Sequence, residues 1–359
     1  MTKRLCGACS GRTFEVDTDS SKIGGQGTVH TTADGRFVVK LYSDCGQDVM
    51  GHISYMVAHP PSGALMQNLA WPLDMLTENG RFVGILMNNL GTFKALNEVC
   101  VTNMFRDIST KKRVWIAHNL ASMVNDVHAC GMVIGDFNPR NIGVRLDTGR
   151  VVLFDTDSML LSSEGARSKL SNVGMPDYRA PEVYRSLLAQ QPRGTFDHPY
   201  TRSTDLFDLA IHIFRLLMSV HPYDSKKEGQ TKTNSHGADE DKIALGEYSF
   251  REGYVPFSRV VPPKEFLDDT LQGLFQRAFV QGTVDPGARP SAKEWMWALE
   301  RYHPRLVTCP DICEHMYPDN FHYCPLCEME AQMMIVESAL KRRPTKERIE
   351  YANGTFTVI

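Results

Sequence analysis

The sequence has no apolar run long enough to cross a membrane, because a spanning helix needs about 20 consecutive apolar residues. The longest candidate, residues 206–220, is interrupted by Asp208, His212 and Arg215. The first residues also lack the apolar stretch and the small-residue cleavage site of a secretory signal. We therefore expect a soluble, cytoplasmic protein.

An excess of charge of either sign is also missing, since 39 Lys and Arg residues and 42 Asp and Glu residues leave a net charge of −3. This balance provides no overall attraction to nucleic acid or to an anionic membrane, and we expect neither as a partner. The 359 residues, 42% of them apolar, are enough for at least one full hydrophobic core and for about two domains.

A disulfide framework is not indicated, because nine cysteines is an odd number in so long a chain. Four of the nine lie close together near the end of the sequence: Cys309, Cys313, Cys324 and Cys327. They are separated by three, ten and two residues, and two histidines lie within the span. This crowding favours a metal site in a protein from a reducing compartment.

The Cys/His cluster predicts a closed, structural Zn²⁺ site with four protein ligands. Its strong part is the Cys-Pro-Leu-Cys knuckle at its end, which supplies two thiolates. Cys309 is the third expected ligand, and either Cys313 or His315 is the fourth. An alternative is that the N-terminal pair Cys6 and Cys9 completes the site.

Strand patterns dominate the first 90 residues, and helical spacing takes over from residue 111. The expected strands are two within 21–42, joined by a tight turn, and others at 81–87, 142–144 and 151–154. The expected helices are 46–58, one from 111 that Gly131 terminates, 206–218, 267–279 and 292–299. Residues 225–241 are polar and rich in Lys, Gly, Ser and Thr, so we expect a mobile insertion there.

Phosphate chemistry is indicated by the order in which certain residues follow one another. Glycines at 24, 25 and 27 allow a backbone to approach phosphate groups closely, and Lys40 on the neighbouring strand can reach the same oxygens. Asp136 and Asn141 then lie in a loop between a helix and a strand, and Asp155 follows the next strand. Carboxylate and amide oxygens at strand ends suit Mg²⁺ ions that bridge phosphates.

In this order the motifs resemble those of the eukaryotic-type protein kinase superfamily, over about residues 20–300. Residues 38–40 are similar to the third-strand lysine motif, 135–141 to the catalytic loop, and Asp155 to the metal-binding Asp that begins the activation segment. Three later landmarks agree: Tyr178-Arg179-Ala180-Pro181-Glu182, Asp205, and Asp285-Pro286-Gly287-Ala288-Arg289-Pro290.

The wording of several motifs is similar to a bacterial subgroup of these kinases, in which a Cys-Pro-x-Cys cluster directly follows the kinase domain. The resemblance therefore implies an α+β, bilobal kinase-like fold over 10–303, with a β-rich N-lobe at 10–90 and an α-rich C-lobe at 91–303. A zinc-ribbon-like module at 304–330 and a tail at 331–359 would follow. The spacing in that subgroup favours His315 over Cys313 as the fourth zinc ligand.

The resemblance also implies an ATP- and Mg²⁺- or Mn²⁺-dependent Ser/Thr protein kinase, acting on a protein substrate. Asp136 would accept the proton of the substrate hydroxyl, and Asn141 and Asp155 would hold the metal ions, with Asp157 as a helper. The nucleotide would contact the following residues: Gly24, Gly25, Gly27, Val29, Val38, Lys40 and Met87. Asp205 and an ion pair between Glu182 and Arg289 would be structural.

The sequence departs from the kinase pattern at several positions. No glutamate occurs at 41–77, so the helix carboxylate that normally holds the strand lysine is absent, and Asp44 or Asp48 is its expected substitute. Gly135 replaces the Arg that clamps a phosphorylated activation segment, so that form of activation is not expected. Because of these losses, the alternative function is a nucleotide-binding pseudokinase or scaffold that presents the zinc module to a partner protein.

Overall fold

The computed structural model describes the chain except for residues 1, 25–26, 44–45, 102–106, 162–174, 191–199, 231–239, 259, 342–348, 351–355 and 358–359. Its strands are β1 (Thr2–Gly7), β2 (Thr13–Gly24), β3 (Gly27–Thr32), β4 (Phe37–Tyr42), β5 (Pro72–Glu78), β6 (Arg81–Asn88), β7 (Lys94–Ala95), β8 (Met132–Val133), β9 (Ile142–Arg145), β10 (Arg150–Leu153), β11 (Leu160–Leu161), β12 (Ser225–Lys227), β13 (Tyr254–Pro256), β14 (Leu306–Thr308), β15 (Met316–Pro318), β16 (Ile349–Glu350) and β17 (Phe356–Thr357).

Helices are concentrated after residue 95, so the chain mixes a strand-rich beginning with a helix-rich remainder. They are α1 (Gln47–Ala58), α2 (Gly63–Met66), α3 (Leu96–Val101), α4 (Thr110–Ala129), α5 (Pro181–Gln190), α6 (Arg202–Met218), α7 (Glu240–Leu245), α8 (Asp269–Gln276), α9 (Gly282–Val284), α10 (Ala292–Tyr302) and α11 (Pro325–Lys341). A π-helical segment, Arg277–Gln281, joins α8 to α9.

The first six strands form a closed antiparallel barrel in the order β1-β2-β3-β4-β6-β5. Because the barrel is closed, each of these six strands pairs with a neighbour on both sides, and none of the six is an edge strand. The interior is filled by apolar side chains that alternate along the strands: Leu5, Val16, Val39, Leu76 and Leu86. The sequence analysis began the kinase-like domain at residue 10, whereas β1 lies before that residue and is part of the barrel.

Strand β4 lies between two strands that approach it through glycines. A Cβ atom on Gly27 of β3 would meet the carbonyl oxygen of Leu41 at 2.0 Å, and one on Gly84 of β6 would meet that of Lys40 at 2.1 Å. Real Cβ atoms do not tolerate such distances, so β4 can occupy its place only because both neighbours are glycine. The position of Lys40 therefore depends on the lack of a side chain at Gly27 and Gly84.

The helical part is organised around α6, which is buried along most of its length. It begins four residues before the predicted start because Thr201 caps it, accepting from the N–H of Thr204 while the Thr204 hydroxyl accepts from that of Thr201. Helix α4 packs against α6 and α10. As predicted, α4 ends before Gly131, whose φ of 78° is favourable only for glycine.

Two predicted segments differ at their ends. Residues 225–227, expected to begin a mobile insertion, form β12 and pair with β13, and α7 starts at Glu240; the stretch between them includes 231–239, which lie outside the described residues. The last predicted module, 304–330, contains the β14–β15 hairpin, but α11 continues beyond residue 330. Leu326 and Met329 on α11 belong to the same core as the helical part.

Candidate active site and metal centre

Asp205 on α6 fixes the loop after α4 by hydrogen bonds to its backbone. Its carboxylate accepts the backbone N–H groups of Ile134 at 2.8 Å and Gly135 at 3.0 Å, and it also contacts Nε2 of His128 at 2.9 Å. Gly135 has a φ of 77°, which a residue with a side chain would adopt only at a cost. Glycine rather than Arg at this position therefore satisfies a backbone requirement of the loop.

His212 holds the next turn of the same loop. Its Nε2 lies 2.7 Å from the carbonyl oxygen of Phe137, and because a carbonyl only accepts, Nε2 carries the hydrogen. Nδ1 is then an acceptor, and it has no partner among the described residues. Burial lowers the pKa of His212 to about 3, so the ring is neutral.

Asp136 lies at the centre of a small hydrogen-bond network. The side-chain amide of Asn138 donates to Asp136 Oδ1 at 2.9 Å, and that of Asn141 donates to Asp136 Oδ2 at 3.2 Å and to its carbonyl oxygen at 3.1 Å. Asn138 is not among the site residues predicted from the sequence. The structure shows that it orients the carboxylate, a role suggested by an Asn two residues after the Asp.

Asp155 is brought next to this loop by the β9–β10 hairpin. The N–H of Phe154 donates to the carbonyl oxygen of Asn141 at 2.8 Å. Asp155 itself has φ 57° and ψ 35°, a left-handed conformation that is uncommon for a residue with a side chain. Burial and the neighbouring charge of Asp157 raise the pKa of the Asp155 carboxyl, and Lys40 opposes that shift.

Lys40 reaches from β4 to the carboxylates after β10. Its Nζ donates to Asp155 Oδ1 and to both oxygens of Asp157, at 3.0 and 2.9 Å. Burial disfavours the charged ammonium, but Asp157 and Asp155 outweigh it and raise the pKa of Lys40. Asp44 lies outside the described residues, as does the side chain of Asp48.

The strands of the barrel place the other predicted nucleotide contacts around Lys40. Val29 pairs with Lys40, Val38 pairs with Met87, and Gly24 pairs with Gly27 across the β2–β3 turn. Gly25 lies outside the described residues, and so do four of the serines between Asp155 and Glu182 in the predicted activation segment: Ser162, Ser163, Ser168 and Ser171.

Glu182 and Arg289 form a bidentate ion pair. Arg289 Nη1 and Nη2 each donate to one Glu182 oxygen at 2.7 Å, and they also donate to the carbonyl oxygens of Ser203 and Gly282. The Arg289 side chain is fully buried, whereas that of Glu182 is 17% exposed. Arg289 thus connects the start of α5 to the start of α6.

Near the end of the chain, three thiols and an imidazole approach one another: Cys309, His315, Cys324 and Cys327, whose donor atoms all lie within 4.8 Å. Sγ of Cys309 is 3.6 Å from Sγ of Cys327, and Nδ1 of His315 is 3.7 Å from Sγ of Cys324 and 3.5 Å from Sγ of Cys327. Tetrahedral zinc bonds of ~2.3 Å to sulfur and ~2.0 Å to nitrogen require S···S separations of about 3.8 Å and S···N separations of about 3.5 Å. The geometry therefore fits a zinc ion.

The surroundings of the cluster orient His315. Its Nε2 lies 3.0 Å from Glu330 Oε1, which directs Nδ1 toward the thiols, as carboxylates do for metal-bound histidines. Cys313 is exposed and is not a member of the group of donors found among the described residues. Cys6 and Cys9 are exposed as well, at the β1–β2 turn, and are not members either.

Comparison with known proteins finds protein kinases. The chain is 29% identical over 284 residues to protein kinase YegI of Escherichia coli O157:H7, which covers 76% of this chain and 42% of that protein. It is 27% identical over 323 residues to protein kinase YegI of Escherichia coli K12, covering 87% and 48%. Serine/threonine-protein kinase PknD of Chlamydia caviae is 32% identical over 165 residues, covering 41% and 15%. No protein-family model matches the sequence.

The chain is therefore similar to bacterial Ser/Thr protein kinases of the eukaryotic type, which confirms the resemblance seen in the motifs. It spans less than half the length of the YegI proteins that it matches. At the level of the family, these names support a protein kinase function. Within the described residues, no helix combines the length and the apolar content needed to span a bilayer.

Proposed function

We propose that this chain is an ATP- and Mg²⁺-dependent protein kinase that transfers the γ-phosphate to Ser or Thr hydroxyls of protein substrates. The observation that carries the proposal is the convergence of Asp136, Asn141, Asp155 and Lys40 from three separate segments: the loop at 134–141, the turn after β10, and β4. The side-chain amide of Asn141 donates to Asp136, and the carbonyl oxygen of Asn141 accepts from the N–H of Phe154. The next residue, Asp155, accepts from the ammonium of Lys40.

The residues present suit the two parts of phosphoryl transfer. Asp136 is an oriented carboxylate that can accept the proton of a substrate hydroxyl as the oxygen attacks. Asn141 and Asp155 offer the amide and carboxylate oxygens that Mg²⁺ prefers, and Lys40 offers a cation for the phosphates. When bound, Mg²⁺ supplies neutralisation of phosphate charge. The arrangement supports a bilobal kinase fold, with the nucleotide between the barrel and the helical part.

Phosphate transfer from labelled ATP to a generic protein substrate tests this proposal. Asp136→Asn keeps the size of the side chain and removes its basicity, so we expect transfer to fall by about 100-fold or more. Asp147→Asn is the matched control, because Asp147 is an exposed aspartate in the β9–β10 turn. Equal labelling by wild type and Asp136→Asn would refute the proposed chemistry.

A nucleotide-binding scaffold without transfer is the second candidate function. It is favoured by the direct ion pair between Lys40 and Asp155, which occupies a carboxylate oxygen that a metal ion would otherwise take. Tight, Mg²⁺-independent nucleotide binding combined with no phosphate transfer would support this scaffold over the kinase.

For the Cys/His cluster we propose a structural Zn²⁺ ion held by Cys309, His315, Cys324 and Cys327. Four protein ligands leave no position for a reacting water, so the ion would stabilise the last module and take no part in catalysis. Elemental analysis should find about one zinc per chain. His315→Ala should lose it and Cys313→Ser should keep it, and the reverse result would refute this ligand set.

A further inference from the structure

The lysine that faces the phosphates needs a carboxylate to hold it, and the sequence offers few. Positions 41–77 contain no glutamate and three aspartates, of which Asp74 is engaged elsewhere. Its two oxygens accept backbone N–H groups of the β1–β2 turn, from Cys9 at 2.9 Å and from Ser10 at 3.1 Å. The carboxylates that contact Lys40 in the described structure come instead from the turn after β10.

Asp157 engages Lys40 more completely than Asp155 does. Both Asp157 oxygens accept from the ammonium, at 3.0 and 2.9 Å, whereas Asp155 uses Oδ1 alone. Tyr42, two residues from Lys40 on the same face of β4, donates its hydroxyl to Asp157 Oδ2. Its ring also lies 5.3 Å from the ammonium. Lys40, Tyr42 and Asp157 thus form one cluster, in which the side chains of Lys40 and Asp157 are buried and Tyr42 is half-buried.

Burial separates the two aspartates further. The side chain of Asp157 is 5% exposed and that of Asp155 is 33% exposed. A metal ion bridging to phosphate needs an accessible carboxylate oxygen, which Asp155 has. Asp157 is enclosed, and both of its oxygens already accept from protein donors, so its environment suits an ion pair better than metal ligation.

The turn that carries Asp157 is fixed by hydrogen bonds to the segment before β5. The preceding residue, Thr156, is buried and donates its hydroxyl to the carbonyl oxygen of Ala70 at 2.6 Å. Just before this turn, Leu153 exchanges hydrogen bonds with the same segment, donating to Asn68 and accepting from Ala70. The turn that carries Asp157 is therefore attached to the segment that leads into β5 of the barrel.

We propose that Asp157, braced by Tyr42, is the positioning carboxylate for Lys40 and takes over the task of the missing helix glutamate. This assignment rests on the proposed function only in that Lys40 is taken to face the nucleotide phosphates. It also revises the sequence-based expectation that Asp157 assists Asp155 in binding metal.

The first test uses the nucleotide-free protein and needs no activity. Guanidinium unfolding is measured for wild type, Lys40→Met, Asp157→Asn and the double variant. Lys40→Met leaves the Asp157 carboxylate without its cation, and Asp157→Asn removes one of the two carboxylates that Lys40 contacts, so we expect the double variant to lose less stability than the sum of the two single losses. Strictly additive losses would overturn the pairing. If Asp157→Asn does not fold, Tyr42→Phe with Lys40→Met forms the alternative cycle, and additivity there has the same meaning.

The second test separates positioning from metal ligation. Phosphate transfer is measured against Mg²⁺ concentration for wild type, Asp157→Asn and Asp155→Asn. A positioning role predicts that Asp157→Asn lowers the rate at saturating Mg²⁺ by about 100-fold with an unchanged Mg²⁺ midpoint. Asp155→Asn should instead move the midpoint to higher Mg²⁺. Recovery of the Asp157→Asn rate at high Mg²⁺ would show that Asp157 is a metal ligand and would overturn the proposal.

Two further variants sharpen the result. Asp157→Glu keeps a carboxylate and should recover part of the lost rate, which a purely structural role of the turn does not predict. Asp48→Asn tests the other candidate carboxylate, and a loss of rate there with none in Asp157→Asn would assign the task to α1 and overturn the proposal. If wild type transfers no phosphate, the proposed function fails, while the unfolding cycle still decides whether Asp157 holds Lys40.

Discussion

Replacing Arg289 by methionine should destabilise the protein severely, because the change removes one half of a buried ion pair. The guanidinium makes two hydrogen bonds to Glu182 and two to the carbonyl oxygens of Ser203 and Gly282, all between 2.7 and 2.8 Å. Methionine is also unbranched but shorter, and it makes none of these hydrogen bonds. The remaining carboxylate is 17% exposed, so water can restore only part of its hydrogen bonding.

The expected loss follows from these contacts. Removal of one partner from a buried pair typically costs about 3–5 kcal/mol, and the two carbonyl oxygens that lose their donors place this case within that range. We expect about 4 kcal/mol, a large fraction of the ~5–15 kcal/mol by which domains are stable. The measurement is guanidinium unfolding followed by circular dichroism, with free energies from linear extrapolation.

Arg277→Met is the matched control for this experiment. Arg277 pairs with Glu294, but the two side chains are 38% and 43% exposed, so the same substitution should cost less than about 1 kcal/mol. The reasoning would be refuted if the Arg289 variant lost no more stability than the Arg277 variant, since burial would then have no influence on the value of the pair.

Three further predictions concern acid stability, the barrel and the metal. The pKa of His212 is about 3 in the folded protein and about 6.5 in the unfolded chain, so its contribution to stability is complete above pH 6.5 and is lost as the pH falls toward 3. At pH 5, wild type should have lost about 2 kcal/mol of stability that His212→Gln does not lose. Parallel pH profiles of the two proteins in guanidinium unfolding would contradict this. Gly84→Ala places a methyl group against the carbonyl oxygen of Lys40, so it should lower both stability and phosphate transfer. The control is Gly80→Ala, which lies in an open turn and should lower stability alone because of its positive φ. Unchanged phosphate transfer in Gly84→Ala would refute the effect on β4. Removal of zinc by a chelator should increase hydrogen exchange within 304–330 and leave Asp136 protected as before, and unchanged exchange in the module would show that no structural metal is present.

The secondary structure of the helical part could be predicted because its periodicity is local. Apolar residues at helical spacing identified α6, and only its first turn was missed, since a Thr201 cap adds residues that carry no periodic signal. Strand β1 was not predicted. Its six residues have little alternation of their own, and they are stabilised by pairing with β5, about 70 positions further along the chain.

The sequence predicts which residues belong to the candidate site, but not which of them contact one another. Motif order identified Asp136, Asn141 and Asp155, because each lies within a short recognisable segment. The predicted partners of Lys40, Asp44 and the side chain of Asp48, lie outside the described residues, whereas Asp157, 117 positions away, contacts Lys40 within them. The choice between Cys313 and His315 likewise depends on a turn in which the N–H of Cys309 bonds the carbonyl oxygen of His315 and thereby draws that residue into the cluster.

The connection between barrel and helical part explains why the site depends on distant residues. Leu69 pairs in parallel with Leu153 at the end of β10, and the hydroxyl of Thr156 bonds Ala70 immediately before the barrel strand β5. The same short turn then presents its carboxylates to Lys40 on β4. One turn of the helical part is therefore joined to the barrel on two sides, through its backbone and through an ion pair. A change in the relative position of the two parts must break or move both, so Lys40 and Asp155 are kept together by the same contacts that join the two parts.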